Sequence, residues 1–338
     1  MHEYDTGSDA ALIDQVRREF GIELAALSAA TGGADTDATV WRATDVHGVS
    51  YALKLSHAGM TAGLPATTHL AGRGIPGAPS PLPTRSGRSC GTHRGAQLAL
   101  TPWIVGDRGI DRRMEPDDWR CFGTVLAGVH AADPPEDPAG LPTERYEPAS
   151  VPEARALDRR IRATPGPAGD DIIRSVSDRW RRAARDLGTV TDHAESLAEA
   201  LRTRPGQHVL THGDAHTGNV LVDGDRQVWL VDWDAATLAP RERDLMFLIG
   251  GVFADAPVTD EQRSWFFDGY GTVTPDPTLL AYYTCVRALE DVTGWASTAL
   301  DPDRAHQRRR AHAIFLGLFT RYGIVERALT AVRGLPAG

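Results

Sequence analysis

Three side-chain oxygens and one ammonium carry the chemistry legible in this chain. Between residues 208 and 234 it reads HVLTHGDAHTGNVLVDGDRQVWLVDWD. Asp214 is followed by Asn219, and a short hairpin separates both from Asp232. A carboxylate, a neutral amide oxygen and a second carboxylate suit phosphoryl transfer. Asp214 would orient and deprotonate an attacking hydroxyl, while Asn219 and Asp232 hold Mg²⁺. Mg²⁺ takes hard oxygen ligands, commonly one or two from protein and the rest from phosphate and water.

Residue usage within the chain strengthens this reading. Of 36 lysines and arginines only Lys54 is a lysine, and Asn219 is the one asparagine. Arginine serves every other basic position, so these two exceptions fall where phosphate chemistry needs them. A lysine meets phosphate as a compact point charge that the arginine fork does not reproduce. An amide oxygen ligates without adding charge.

Local elements must bring these groups together. Val220–Val222 and Val228–Val231 read as strands joined through Asp223-Gly224-Asp225, with Asp232 at the strand end and Asp234 on the same side of an extended chain. Upstream, Leu12, Ile13, Val16 and Phe20 mark a helix over 10–20. Strands are expected at 23–30, 40–43 and 51–55, with Leu53 and Leu55 on one face and Lys54 on the other. The loop at 31–36 is neither GxGxxG nor a Walker motif. Its candidate contacts to nucleotide phosphates are Thr31, Gly32, Gly33 and Thr36, although a plain hairpin turn fits the same residues. A strand over 96–104 runs into a linker where Trp103 and Ile104 are candidate adenine contacts; Trp103 serves equally well as a core aromatic. Pro102 has no N–H to offer there.

One kinase part is missing. A helix after the lysine strand, here 61–72, normally supplies a glutamate to the lysine. No acidic residue occurs between Lys54 and Asp107. Asp232 or nucleotide phosphate is left as its partner. Further helices are expected at 116–132, 152–163, 170–203, 260–270, 276–300 and 303–332, and one from Leu245 capped by Asp244. His212 and His216 stand four apart, but HGDAH is not the helical HExxH of zinc enzymes, and His212 reads better as a brace for the loop.

The segments HGDAHTGN, LVDWD and RERDLMFLIGG resemble the aminoglycoside phosphotransferase family, most nearly its spectinomycin phosphotransferase branch, over about residues 25 to 325. The resemblance implies an α+β, protein-kinase-like fold of two lobes. Residues 1–105 would be an antiparallel-sheet nucleotide lobe with a hinge at about 101–106, and 106–338 a mostly helical catalytic and substrate lobe. It also implies ATP and Mg²⁺ as cofactors and an antibiotic hydroxyl as phosphoryl acceptor. Carried over by position, Asp214 is the base, Asn219 and Asp232 are the metal ligands, and Lys54 binds phosphate. Acidic residues of the C-terminal helices hold substrate ammonium groups in the family, which makes Glu290 and Asp291 candidates here, with Trp295 stacking on a ring. Two other readings stay open: a kinase of choline, homoserine, a sugar or another natural product, and a nucleotide-binding pseudokinase.

Composition bounds the partners. The net charge of −9 disfavours nucleic acid and suits a cationic small molecule. Hydrophobic residues at 41% and charged residues at 24% are those of an ordinary globular protein. Cys90, Cys121 and Cys285 suggest neither a disulfide framework nor a zinc knuckle. No leader-like start or membrane-length apolar run is present, so a cytoplasmic protein without membrane contact is expected. The oligomeric state is left open, a monomer being favoured.

Overall fold

Alternating apolar side chains build the first sheet. The computed structural model describes residues 6–30, 38–57, 60, 62–134, 140–163, 170–204 and 206–335. Helix α1 (Thr6–Phe20) precedes strands β1 (Leu24–Ala29), β2 (Ala38–Asp45) and β3 (Ser50–Ser56). Helix α2 (Gly63–Gly72), β4 (Gly91–His93) and β5 (Ala96–Pro102) follow. The five strands form one antiparallel sheet in the order β1-β2-β3-β5-β4.

Register decides where the lysine points. Leu53 pairs with Leu100, Leu55 with Leu98, and Lys54 with Ala99. Successive side chains alternate between faces. The leucines therefore share a core with Leu12, Val16 and Phe20 of α1. Ala99, on the Lys54 face, packs with Met60 and Leu64 at the start of α2.

The hairpin expected around residues 220–231 is present, as β8 (Val220–Asp223) and β9 (Val228–Leu230), but it is not alone. Strand β6 (Gly106–Arg108) adds to β8, and β7 (Val209–Thr211) pairs instead with β10 (Thr237–Ala239). Asp223 shapes the turn: its Oδ1 accepts from the N–H groups of Asp225 and Gln227 at 3.0 and 2.8 Å. Helix α3 (Pro116–Ala131) opens on a capping box between Glu115 and Asp118 and buries Trp119, Phe122, Leu126 and Val129.

By internal contacts the chain divides into two units. The first holds Met1–Thr143, Val209–Leu238 and Trp265–Gly271; the second holds Glu144–His208, Ala239–Ser264 and Thr272–Gly338. The second is helical, with α4 (Ser150–Ala163), α5 (Asp171–Arg202) and α6 (Glu242–Ile249). After α7 (Asp260–Tyr270) come α8 (Pro277–Leu300), α9 (Ala305–Gly317) and α10 (Ile324–Arg333). Helix α8 is its axis, packing against α4, α5, α6, α9 and α10. Asp276 caps it, accepting from the Thr278 N–H at 2.8 Å.

Two helical expectations need correction. The single helix expected over 303–332 is broken between α9 and α10, because turn bonds Thr320 N–H to Gly317 and Gly323 N–H to Thr320 end one helix before the next begins. Asp244 does not cap a helix at Leu245: α6 starts two residues before Asp244, which is buried in its first turn. Among the described residues no helix is long and apolar enough to cross a membrane.

Candidate active site

The loop after β7 is made by one glycine and one histidine. Gly213 has φ +81°, and a Cβ there would lie 2.0 Å from the Ala235 carbonyl oxygen. Only glycine supplies both that conformation and that closeness. His212 is fully buried. Its Nδ1 accepts the Asp214 N–H at 3.3 Å, so Nε2 carries the proton and donates it to the Val231 carbonyl at 3.0 Å. The ring also packs on Trp233, with centroids 4.6 Å apart. His212 thus ties the Asp214 loop to the end of β9. With both nitrogens engaged by backbone it offers no lone pair to zinc.

Asp214 is held by two donors. Asn219 Nδ2 donates to its Oδ2 at 3.0 Å and to its backbone carbonyl at 2.9 Å. His216 Nδ1 accepts the Gly218 N–H at 3.1 Å, which leaves Nε2 protonated and facing Asp214 Oδ2 at 3.3 Å. The sequence reading weighed His216 only as a metal ligand, and its service to the carboxylate was missed. Both atoms facing the Asn219 amide are acceptors, so its nitrogen must point inward and its oxygen away from Asp214.

The end of β9 differs from an extended strand. Asp232 adopts a left-handed conformation, φ 65° and ψ 65°, which aspartate tolerates better than most residues. A 3₁₀ turn, Trp233–Ala235, follows, and Trp233 Nε1 donates to the Leu230 carbonyl at 2.8 Å. The Val231 N–H donates to the Asn219 carbonyl at 3.0 Å, which sets Asn219 beside the start of this turn. Asp232 and Asp234 then reach the same ammonium: Lys54 Nζ stands 2.9 Å from Asp232 Oδ1 and 2.8 Å from Asp234 Oδ2. Burial of Lys54 works against its charge, but the two carboxylates outweigh it and raise its pKa. Asp234 is a partner that an extended-strand picture did not reveal.

A hard cation fits the donors present. The Asn219 oxygen is turned away from Asp214, and Asp232 follows directly on Val231, whose N–H is bonded to the Asn219 carbonyl. Among the described residues no group of three or more His, Cys, Asp or Glu side chains is arranged to hold a metal by itself. Such a pair, to be completed by phosphate oxygens, is how Mg²⁺ is commonly bound.

The remaining candidates are placed as follows. Trp103 spends its backbone N–H on the Ser50 carbonyl at 3.1 Å, and its ring faces the Arg42 guanidinium at 5.6 Å. Ile104 is half-buried just after β5. Thr31, Gly32, Gly33 and Thr36 lie outside the described residues. Glu290, Asp291 and Trp295 lie on α8 in the second unit. Glu290 lines a cleft of about 430 Å³ with Glu153 and Arg160 of α4, whereas Asp291 and Trp295 do not line it. Asp291 is paired with Arg287 at 3.0 Å, and Trp295 is half-buried.

A lysine on an antiparallel sheet, facing an Asp-Asn-Asp loop and hairpin, defines a kinase-like phosphotransferase. The chain belongs to the APH phosphotransferase enzyme family, whose model matches residues 27–289. Among solved structures it is similar to spectinomycin phosphotransferase APH(9)-Ia in complex with ADP and spectinomycin: 25% identity, 96% of this chain and 98% of that one, TM-score 0.83. The fold is shared with macrolide 2'-phosphotransferase MphH from Brachybacterium faecium at 20% identity, covering 90% of this chain and 97% of that one, TM-score 0.52. It is shared too with amicoumacin kinase hAmiN, in complex with AMP-PNP, Ca²⁺ and Ami, at 16% identity over 93% and 96%, TM-score 0.60. No curated protein sequence matches the chain. The expected α+β, kinase-like fold and the expected family are both borne out.

Proposed function

We propose that this enzyme transfers the γ-phosphoryl group of ATP to a hydroxyl of an aminocyclitol or aminoglycoside antibiotic, of which spectinomycin is the model. The observation that carries the chemistry is the meeting of Lys54 with Asp232 beside the tied Asp214–Asn219 loop. The acceptor class rests on the likeness to the spectinomycin enzyme. On this reading residues 1–105 bind nucleotide, and 106–338 carry the base, the metal ligands and the acceptor site. Asn219 and Asp232 would hold Mg²⁺, which would supply neutralisation of the phosphate charge.

The residues divide the work. Lys54 places a fixed positive charge against the phosphates, where it is worth more than in water. Asp214 Oδ2 is oriented by Asn219 and His216, so the carboxylate is aimed before an acceptor arrives. It aligns the hydroxyl and accepts its proton late, as the bond to phosphorus forms and the bond to the ADP oxygen breaks. Thr31, Gly32, Gly33 and Thr36 cover phosphates, and Trp103 and Ile104 contact adenine. Glu290 meets a substrate ammonium from its place in the α4–α8 cleft; Asp291, paired with Arg287, and Trp295 do not line that cleft and are left as supports of the helix that carries Glu290. A protein of this kind works in the cytoplasm, where ATP is available, to confer resistance.

The test is acceptor-dependent ADP release with Mg·ATP across spectinomycin, aminoglycosides, choline, homoserine and sugars. Spectinomycin-dependent turnover with a phosphorylated product supports the proposal. Turnover with choline, homoserine or a sugar instead would replace the acceptor and leave the chemistry. Silence with every acceptor, despite tight ATP binding, would favour a pseudokinase.

A further inference from the structure

The helix after the lysine strand carries no acidic residue, yet Lys54 is paired. Two carboxylates compete for the role of holding it, and their surroundings differ. Asp232 is 47% exposed and Asp234 33%. Asp234 also lies against backbone of α2. A Cβ on Gly63, the first residue of α2, would lie 3.0 Å from the Trp233 carbonyl carbon and 3.2 Å from Asp234 Oδ1. The turn carrying Asp234 is thus gripped from two sides, by α2 at Gly63 and by the Asp214 loop at Gly213. Asp234 Oδ1 also stands at the amino end of α2, where the helix dipole favours a negative charge. The opposite oxygen, Oδ2, is the one that meets Lys54.

We propose that Asp234 is the positioning residue that holds Lys54 for nucleotide, replacing the helix-borne glutamate, and that Asp232 is thereby released to the metal. The proposal deepens the phosphotransferase reading and rests on it for the role of the ammonium. It divides two neighbouring aspartates by function: one anchors a cation within the protein, the other is shared with a ligand. Helix α2 keeps a supporting part, pressing its glycine against the turn.

The chain's single lysine makes the test direct. Protein labelled with ¹⁵N-lysine gives one side-chain ammonium signal, which persists only while a fixed acceptor slows exchange with water. The signal should be present in the wild type and in Asp232→Asn, lost in Asp234→Asn and Asp234→Ser, and restored in Asp234→Glu. Two neutral variants are used so that one folded protein, checked by thermal melting, suffices. In parallel, Asp234→Asn should weaken Mg·ATP binding roughly tenfold or more, as loss of a charge-assisted hydrogen bond does. The Mg²⁺ concentration for half-maximal binding should stay put in that variant and rise in Asp232→Asn. An ammonium signal that survives in the neutral Asp234 variants overturns the proposal. So does a Mg²⁺ requirement that moves with Asp234 as it does with Asp232, since Asp234 would then be a metal ligand. The ammonium readout needs no turnover, so it decides this question even if no acceptor is phosphorylated.

Discussion

Asn219 is bonded twice to Asp214, its amide nitrogen reaching both the backbone carbonyl and the carboxylate of that residue, at 2.9 and 3.0 Å. One side chain therefore orients the Asp214 carboxylate and turns its own oxygen away from it, which on the proposed reading leaves that oxygen for the metal. The two roles separate on mutation. Asp214→Ala should lower turnover by about 10²–10⁴-fold, the usual contribution of a general base, while ATP affinity changes little. Asn219→Ala should also lower turnover and should raise the Mg²⁺ needed for half-maximal rate. Coupled ADP-release kinetics over a magnesium series check both. Normal phosphorylation by Asp214→Ala would remove it as the base; unchanged magnesium dependence would remove Asn219 from the metal shell.

Gly213 admits no side chain. Its positive φ alone costs a larger residue about 1–3 kcal/mol, and the Ala235 carbonyl occupies the space for a Cβ. Gly213→Ala should lower the urea midpoint and abolish turnover together, because the loop and the Trp233 turn must part. A variant with wild-type stability and rate would show that this close approach is not maintained in solution.

Asp276 links stability to pH. Burial alone would raise its pKa, but the Arg204 guanidinium and the N–H at the start of α8 overcome this and lower it. A carboxylate with a depressed folded pKa stabilises fully above its unfolded value, about 3.9, and loses that contribution as pH falls through the folded value. Asp276→Ala should cost about 0.5–2 kcal/mol near neutrality, the range for a lost N-cap. The gap between the two melting curves should close below about pH 4. A gap that persists unchanged to pH 3 would mean the carboxylate charge contributes nothing.

On the proposed reading Glu290 holds an amine of the acceptor. Glu290→Gln should raise KM for an amine-bearing substrate several-fold and leave kcat nearly unchanged, the mark of a lost binding contact rather than a lost transition-state contact. An equal loss in kcat with KM unmoved would contradict that assignment. Asp291→Asn would instead release Arg287 and show first as lower thermal stability.

Much of the site was legible because the sequence uses its residues sparingly. One lysine and one asparagine stand out against an arginine-rich chain, and strand alternation correctly sent Lys54 to the face opposite Leu53 and Leu55. The lysine's second partner was not legible. Asp232 lies in a left-handed conformation followed by a 3₁₀ turn, and neither leaves a periodic trace. Strands β6, β7 and β10 have three residues each, too few for a pattern. The break between α9 and α10 hid behind apolar residues that continue through it, Phe315, Leu318 and Ile324, although Gly323 marked the place.

In protein kinases the glutamate that engages the lysine rides on a mobile helix, and signalling works by swinging that helix in and out. Helix α2 here has no acid to swing. Both carboxylates that meet Lys54 belong instead to a turn pinned by Gly213. The pairing of Lys54 therefore draws on no acidic side chain of α2, and a movement of that helix reaches the ammonium only through the contact of Gly63 with the Trp233–Asp234 turn.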